Sequence, residues 1–196
     1  MLSKIDIKFI NDWSLLIKKY QKFQRVLNAK PSSGEYIEGY KTFRYDFGTS
    51  GSLVSYDSIV SGTDVASSAN GKIVEAELPW IDKLKQNMSE LNIQSVTFQS
   101  NFGSLNPHCD GQEESGTIFH CKLNYIIDDY DAFSYVKDGE TVLSYPSIKD
   151  TAWLLDTTKL HWVNGTGQRY IFQICFHQKY SEVLEWFNDH PGLVYF

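Results

Sequence analysis

The second half of the chain is a succession of short strand-like runs separated by turn signals. The runs begin at Ile93, end near Cys175, and read IQSVTFQSNF, GTIFHCKLNYII, AFSYV, TVLSY, TAWLLD and YIFQICF. The Asp138-Gly139 pair between two of them is a strong hairpin signal. Strands at this spacing predict a sandwich or a barrel, and the segment is long enough for the roughly eight strands that a jelly roll needs.

The N-terminal third combines one helix pattern with two strand patterns. Apolar residues recur at helical spacing from Trp13 to Leu27, which predicts an amphipathic helix. Residues 35–60 hold two runs rich in aromatic and β-branched residues, EYIEGYKTFRYDF and SLVSYDSIV, around the Gly-Ser stretch GTSGS. This pattern predicts two strands joined by a flexible turn.

Two more helices are predicted at the borders of the strand-rich region. Pro79 suits the first turn of one helix, and the apolar side of that helix carries Trp80, Leu84, Met88 and Leu91. The other helix is the SEVLEWFND run, for which Ser181 is the predicted cap.

Length and composition favour one folded domain. The chain has 196 residues, of which 42% are hydrophobic, so it carries enough apolar surface to form a core. We expect a single domain over 1–196, with an N-terminal extension over 1–92, a strand core over 93–177 and a C-terminal helix over 181–189.

Charge and hydropathy argue against several classes of function. The 18 Lys and Arg against 24 Asp and Glu give a net charge of −6, so a nucleic-acid partner is not expected. No run approaches the roughly 18 apolar residues of a membrane span, and the opening MLSKIDIKFIND does not form a signal peptide, so no membrane partner is expected. Three cysteines without CxxC spacing predict neither a disulfide framework nor a zinc site. We expect a soluble, cytoplasmic protein.

The NPHCDG segment carries a candidate metal-binding pair. His108 and Asp110 lie two residues apart on an extended run, so their side chains point to the same face. Such a pair binds metal only with a third donor from elsewhere in the fold, and His161 on a late strand-like run is the best candidate. Two imidazoles and one carboxylate form the facial triad of non-haem Fe(II) oxygenases.

Arg169 strengthens this interpretation. It follows His161 at the start of the YIFQICF run. A buried guanidinium in the mouth of a barrel needs a carboxylate partner, and a 2-oxo acid cosubstrate would supply one.

The four residues His108, Asp110, His161 and Arg169 resemble the pattern of the Fe(II)- and 2-oxoglutarate-dependent dioxygenases. More narrowly, DTTKLHWVNGTGQRYIFQI resembles the aspartyl/asparaginyl β-hydroxylase branch, which also includes hydroxylases of free proline. In that signature Asp156 and Asn164 accompany the histidine and the arginine. Animal members of the branch lack the carboxylate ligand that Asp110 supplies here, so this chain is closer to the free-amino-acid hydroxylases and to the general superfamily.

The resemblance implies a mainly β fold, a double-stranded β-helix (jelly roll, cupin-like) with flanking N-terminal and C-terminal helices. It also implies hydroxylation of an amino acid, free or within a peptide, with molecular oxygen as a substrate. His108, Asp110 and His161 would hold Fe(II), and Arg169 would bind the far carboxylate of 2-oxoglutarate. Asp110 argues against halogenation, because a halide would need the coordination position that the carboxylate fills.

Other residues have weaker signals. Lys122 and Asn124 fall on one face of the HCKLNYII strand, where they contact 2-oxoglutarate or substrate, or else form a solvated or core-edge pair. Donors for the substrate are expected from Tyr40, Arg44 and Tyr45.

Alternatives remain open for the site as a whole. A His-x-Asp pair by itself is more often a loop hydrogen bond. His120 is interpreted as structural, and no role is assigned to His177 or His190. The alternative function is a non-catalytic jelly-roll module that binds a metal or a ligand.

Overall fold

The structure is a computed structural model that describes residues 1–14, 17, 41–46, 53–55, 80–110 and 120–195. Within these ranges the strands are β1 (Leu2–Ile5), β2 (Ile7–Phe9), β3 (Lys41–Asp46), β4 (Leu53–Ser55), β5 (Ile93–Phe102), β6 (Leu105–His108), β7 (Cys121–Ile126), β8 (Ala132–Asp138), β9 (Thr141–Pro146), β10 (Ala152–Asp156), β11 (His161–Gly165), β12 (Gln168–Phe176) and β13 (Leu193–Tyr195). The helices that are described over their whole length are α1 (Trp80–Asn87) and α2 (Tyr180–Asp189). Neither helix is long and apolar enough to cross a membrane.

In the described part of the chain, the larger sheet has seven strands in the order β1-β10-β7-β12-β5-β3-β4, paired antiparallel. Its two faces differ in chemistry, because successive side chains of a strand point in opposite directions. On β7, for example, the fully buried Leu123 and Tyr125 alternate with Lys122 and Asn124. One face is therefore apolar and the other polar.

The apolar face of this sheet is covered by the helices and forms the hydrophobic core. Phe172 on β12 packs edge-on against Trp80 at the start of α1, with ring centroids 5.3 Å apart. Phe176 on the same strand meets Phe187 of α2. Full burial of one such aromatic side chain contributes about 1.5–3 kcal/mol. Packing in this core therefore holds the larger sheet in place. The polar face of the sheet is turned toward the second sheet.

The second sheet, as far as the residues are described, has four strands in the order β6-β11-β8-β9. It faces the polar side of the larger sheet, and a hydrogen bond of 3.0 Å from Asn124 Nδ2 on β7 to the Tyr145 hydroxyl on β9 joins the two. The strands β13 and β2 pair parallel in a separate two-stranded sheet. The space between the two larger sheets is where the polar residues of the core meet.

The fold class predicted above, a mainly β jelly roll with flanking helices, is confirmed. Between residues 93 and 177 the structure describes eight strands, β5 to β12. The predicted hairpin joins β8 to β9, where Asp138 pairs with Thr141 and Gly139 has a φ of +61°. That left-handed φ favours glycine because it lacks a Cβ.

The helices and N-terminal strands are mostly where the patterns predict them. Strands occupy Lys41–Asp46 and Leu53–Ser55. Of the helix expected from Trp13 to Leu27, the described residues 13, 14 and 17 are helical, and the rest lies outside the described residues, as do Pro79 and Tyr40.

The predicted cap of the last helix is wrong by two residues. The helix α2 begins at Tyr180 with Lys179 as its N-cap. The backbone N–H of Lys179 donates to the Glu182 carboxylate at 3.1 Å, so the carboxylate three residues into the helix holds the first turn. The strands β1, β2 and β13 are absent from the sequence-based prediction.

Candidate metal centre

The structure brings His108, Asp110 and His161 together. One ligand atom from each residue lies within 4.8 Å of the others. His108 is the last residue of β6, His161 is the first of β11, and the two are paired directly across these antiparallel strands. The imidazole centroids are 4.3 Å apart. The pairing of β6 with β11 therefore brings His161 beside His108 and Asp110 as a third candidate donor, which the His-x-Asp segment lacks by itself.

The position of Asp110 is set by a neighbouring turn. Its backbone N–H donates to the Thr157 carbonyl at 2.9 Å, in the connection between β10 and β11. The buried Asp156 caps that connection, because its Oδ1 accepts the backbone N–H and the hydroxyl of Thr158 at 3.1 and 2.5 Å. Asp156, part of the signature above, is thus a turn residue that supports Asp110.

Both imidazoles are oriented by backbone carbonyls. His108 Nδ1 lies 2.8 Å from the Asn106 carbonyl, and His161 Nδ1 lies 2.9 Å from the Lys159 carbonyl. A carbonyl only accepts, so each Nδ1 carries the proton and each Nε2 keeps its lone pair. The Nε2 atoms face Asp110, at 3.7 Å from Oδ1 for His108 and at 3.3 Å from Oδ2 for His161. This is the tautomer that metal-binding histidines use.

Electrostatics favour, at His108 and at Asp110, the protonation states that a metal requires. Burial, and then the neighbouring His161, lowers the pKa of His108 below its usual value, so its neutral form is favoured. Burial alone would raise the pKa of Asp110, but the charge and the hydrogen bond of Lys122 hold it well below its usual range. A neutral imidazole facing an ionised carboxylate is the form in which both bind a cation.

Lys122 is bound to the candidate ligand itself. Its Nζ donates to Asp110 Oδ2, the oxygen that also faces His161. Both side chains of this ion pair are largely buried, with exposed fractions of 15% and 19%. The expected contact of Lys122 with 2-oxoglutarate stays a prediction, and the contact that the structure gives it is with Asp110.

The residues present fit Fe(II). Two imidazole nitrogens and one carboxylate form an N/O donor set suited to non-haem Fe(II), which leaves other coordination positions for a cosubstrate. The His108 side chain is 25% exposed and that of His161 is 9% exposed, so the centre opens on the His108 side.

Arg169 lies on the polar face of β12. The side chain is 2% exposed, and its Nη2 donates to the Gly103 carbonyl at 2.7 Å, in the turn between β5 and β6. Gln173 shares the same face of the strand. A guanidinium in this place is suited to a carboxylate, which accepts two parallel hydrogen bonds from it.

Asn124 belongs to a group of buried polar residues that the sequence reasoning largely missed. It bonds Tyr145 and Gln173, and Gln173 in turn bonds Gln99 at 2.7 Å. The signal in the sequence is the period-two spacing of polar residues on β5, β7 and β12. Because these strands are distant in sequence, only their pairing brings the side chains together.

The other sequence candidates lie away from the centre or are described only in part. Asn164 is exposed on β11, where it pairs with Phe133. His190 stacks on Trp186 at the end of α2. Arg44 is described only as a residue of β3 that pairs with Gln99, and Tyr45 belongs to the same strand.

Comparison with solved structures finds proteins of similar fold. No family model and no curated protein matches the sequence. A prolyl-4-hydroxylase of Pseudomonas putida has a similar structure, with a TM-score of 0.54 and 11% identity over 91% of this chain and 92% of that one. A prolyl hydroxylase from Trichoplax adhaerens, in complex with a hypoxia inducible factor oxygen degradation domain peptide fragment, gives a TM-score of 0.51 and 11% identity over 89% and 82%. At this identity the likeness shows that the chain has the jelly-roll fold of these two prolyl hydroxylases.

Proposed function

We propose that this protein is a non-haem Fe(II)- and 2-oxoglutarate-dependent hydroxylase that acts on an amino acid, free or within a peptide. The observation that carries the proposal is the convergence of His108, Asp110 and His161, with both imidazole Nε2 atoms facing the carboxylate. The fold that the chain shares with two prolyl hydroxylases supports it.

The chain's own residues have distinct tasks in this reaction. His108 and His161 donate their Nε2 lone pairs, and Asp110 supplies the carboxylate oxygen. Lys122 donates to Asp110 Oδ2 and so holds the carboxylate beside the two imidazoles, where it would serve as a ligand. With 2-oxoglutarate and oxygen, bound iron supplies the oxidative decarboxylation and the hydroxylation of a C–H bond.

Arg169 has a binding role in this proposal. Its guanidinium takes the far carboxylate of 2-oxoglutarate from the polar face of β12. Burial of this group keeps water away from the carboxylate, which strengthens the charge-assisted bonds.

The proposed substrate is an amino-acid unit. The two similar structures are both prolyl hydroxylases, and one holds a peptide, so proline in a peptide is the first substrate to test. The resemblance of the DTTKLHWVNGTGQRYIFQI segment to aspartyl/asparaginyl β-hydroxylases adds aspartate and asparagine, free or in short peptides.

A second candidate function is a non-catalytic jelly-roll module. The Lys122–Asp110 ion pair favours it, since an ammonium already neutralises the carboxylate without any metal.

A turnover assay distinguishes the hydroxylase from the non-catalytic module. The purified protein is incubated with Fe(II), 2-oxoglutarate and each candidate substrate, and succinate is measured together with a mass gain of one oxygen in the substrate. The hydroxylase predicts coupled formation of both products, and their loss in Asp110→Ala. Absence of both products with every amino-acid and peptide substrate would favour the non-catalytic module.

A further inference from the structure

The Lys122 ammonium is held beside the candidate ligands by the middle of the larger sheet. Lys122 lies on β7, directly opposite Leu155 of β10 and Cys175 of β12, and both of these neighbours are buried. Its side chain is 15% exposed, and Nζ donates to Asp110 Oδ2, the oxygen that lies 3.3 Å from His161 Nε2. The positive charge is therefore part of the centre and not a charge of the outer surface.

The charges of the metal-free centre balance one another. Among the described residues, the group that could hold a metal ion contains one carboxylate, Asp110, and two histidines, which bind metal as neutral imidazoles. Lys122 neutralises that carboxylate. The other charged side chain that β7 and β12 contribute to the polar face, Arg169, is positive as well. A divalent cation therefore enters a centre whose carboxylate is already paired with a cation.

Lys122 stabilises the metal-free form of the centre more than the metal-bound form. Without a metal, the ammonium is the partner of a largely buried carboxylate, and loss of one partner of such a pair is strongly destabilising. With a metal bound, the carboxylate has another cation, and the ammonium lies close to two further positive charges. A group that favours one of two states shifts their equilibrium by its differential interaction with them. Unit charges a few ångström apart in a partly buried place shift an equilibrium by on the order of a hundredfold.

We propose that Lys122 is an internal counter-cation that opposes the metal ion, so that the centre binds the metal weakly until an anionic ligand joins it. The dianion of 2-oxoglutarate brings two negative charges to a centre that holds Lys122, Arg169 and the metal, and so removes the excess of positive charge. Metal occupancy of the protein then follows the supply of the cosubstrate. The inference rests on the proposed function, because it takes the three candidate ligands as a metal site.

A purely orienting role of the same lysine predicts the opposite result. A partner that only orients a ligand strengthens metal binding, and its loss weakens the metal affinity about 10- to 100-fold. A counter-cation weakens metal binding, so its loss raises the metal affinity. The direction of the change in variants of Lys122 thus separates the two roles.

The test measures the affinity for Mn(II) at neutral pH, with and without 2-oxoglutarate. Mn(II) prefers oxygen and nitrogen donors to thiolates, and the EPR signal of the free ion gives the bound fraction. Lys122→Met removes the charge and keeps a side chain of similar length. Lys122→Gln removes the charge and keeps a hydrogen-bond donor for Asp110, whereas Lys122→Arg keeps the charge. His161→Ala shows whether the bound ion is at the candidate centre.

The matched control for the loss of charge is Lys137→Met. Lys137 is exposed on β8, next in sequence to Val136, which pairs with His161. The variant makes the same change in net charge near the centre, but at the surface of the second sheet. A general effect of net charge would therefore appear in this variant as well.

The inference predicts opposite shifts for the metal and for the cosubstrate. In the wild type, Mn(II) binds weakly alone and more tightly with 2-oxoglutarate. Lys122→Met and Lys122→Gln bind Mn(II) alone at least about tenfold more tightly than the wild type does, and their Mn(II)-loaded forms bind 2-oxoglutarate less tightly. Lys122→Arg and Lys137→Met keep the wild-type affinities, and His161→Ala loses Mn(II) binding in both conditions.

Two kinds of result would overturn parts of the account separately. If the wild type binds Mn(II) and 2-oxoglutarate, but the folded variants without the charge bind Mn(II) alone as tightly as the wild type or more weakly, the inference is wrong and the proposed function stands. If the wild type binds no Mn(II) even with 2-oxoglutarate, or if folded His161→Ala binds it as the wild type does, the proposed function itself fails. Lys122→Gln keeps a donor for Asp110, so it tests the inference even if Lys122→Met does not fold.

Discussion

His161 lies directly opposite His108 across the β6–β11 pair, and the Nδ1 of each imidazole faces the carbonyl two residues before it. The two imidazoles are therefore oriented by the same kind of backbone contact on adjacent antiparallel strands. Each Nε2 is left facing Asp110. Strand register, rather than a flexible loop, thus fixes the spacing of the two imidazole nitrogens.

Replacement of Lys122 by Met should destabilise the metal-free protein at neutral pH. The variant leaves a buried carboxylate without its cation, and breaking a buried pair costs about 3 kcal/mol of unfolding free energy. In the wild type the lowered pKa of Asp110 gives stability that is present above about pH 4 and is lost as pH falls. Urea unfolding of both proteins should show the largest difference near pH 7 and a smaller one near pH 3. A constant difference over this range would refute the role of the ion pair.

Acidification should destabilise the metal-free protein through His108. Its pKa is lowered in the folded state by burial and by His161, whereas the unfolded value is about 6.5. The unfolded chain therefore binds the proton first, and the contribution of His108 to stability is lost as pH falls below about 6.5. Thermal unfolding of His108→Gln should depend less steeply on pH between 7 and 5 than that of the wild type. His190→Gln is the control, because His190 lies at the end of α2, and equal slopes for all three proteins would contradict the prediction.

Removal of the Asp156 side chain should weaken metal binding without touching a ligand. Asp156→Ala removes two hydrogen bonds to Thr158 and loosens the turn whose Thr157 carbonyl holds the Asp110 backbone. We expect a stability loss of about 1–3 kcal/mol, measured by urea unfolding, and a lower affinity for Fe(II). The control Asp129→Ala removes a carboxylate that accepts the Lys149 backbone N–H at 2.8 Å in another loop. It should lose stability while keeping the metal affinity, and a similar loss of affinity in both variants would speak against a specific role of the turn.

The sequence predicts those parts of the site that depend on local spacing. His108 and Asp110 share a face because they are two residues apart on an extended run, and Arg169 shares a face with Gln173 because they are four residues, an even number, apart on one strand. For the third candidate ligand, His161, the sequence offers only its place on a late strand-like run, and the pairing of β6 with β11 is what puts it opposite His108.

Contacts between distant strands could not be predicted in this way. The ion pair of Lys122 with Asp110 and the hydrogen bond of Asn124 to Tyr145 join elements whose relative position depends on the packing of two sheets. A period-two pattern gives the face of a strand but not its partner. The same limit explains why the hydrogen bonds that join Gln99, Gln173, Asn124 and Tyr145 were not predicted. The polar residues on β5, β7 and β12 alternate with apolar ones, but this alternation does not show which strands are neighbours.

The central claim is that His108, Asp110 and His161 hold Fe(II) as three ligands, and anaerobic titration with Fe(II) and 2-oxoglutarate tests it most directly. The visible charge-transfer band of the iron chelate is followed in the wild type, in His161→Ala and in the control His190→Ala. The account predicts a saturable band in the wild type and in His190→Ala, and none in His161→Ala, whose circular dichroism should stay that of a folded β protein. A band of wild-type strength in folded His161→Ala, or no band in the wild type, would contradict the assignment.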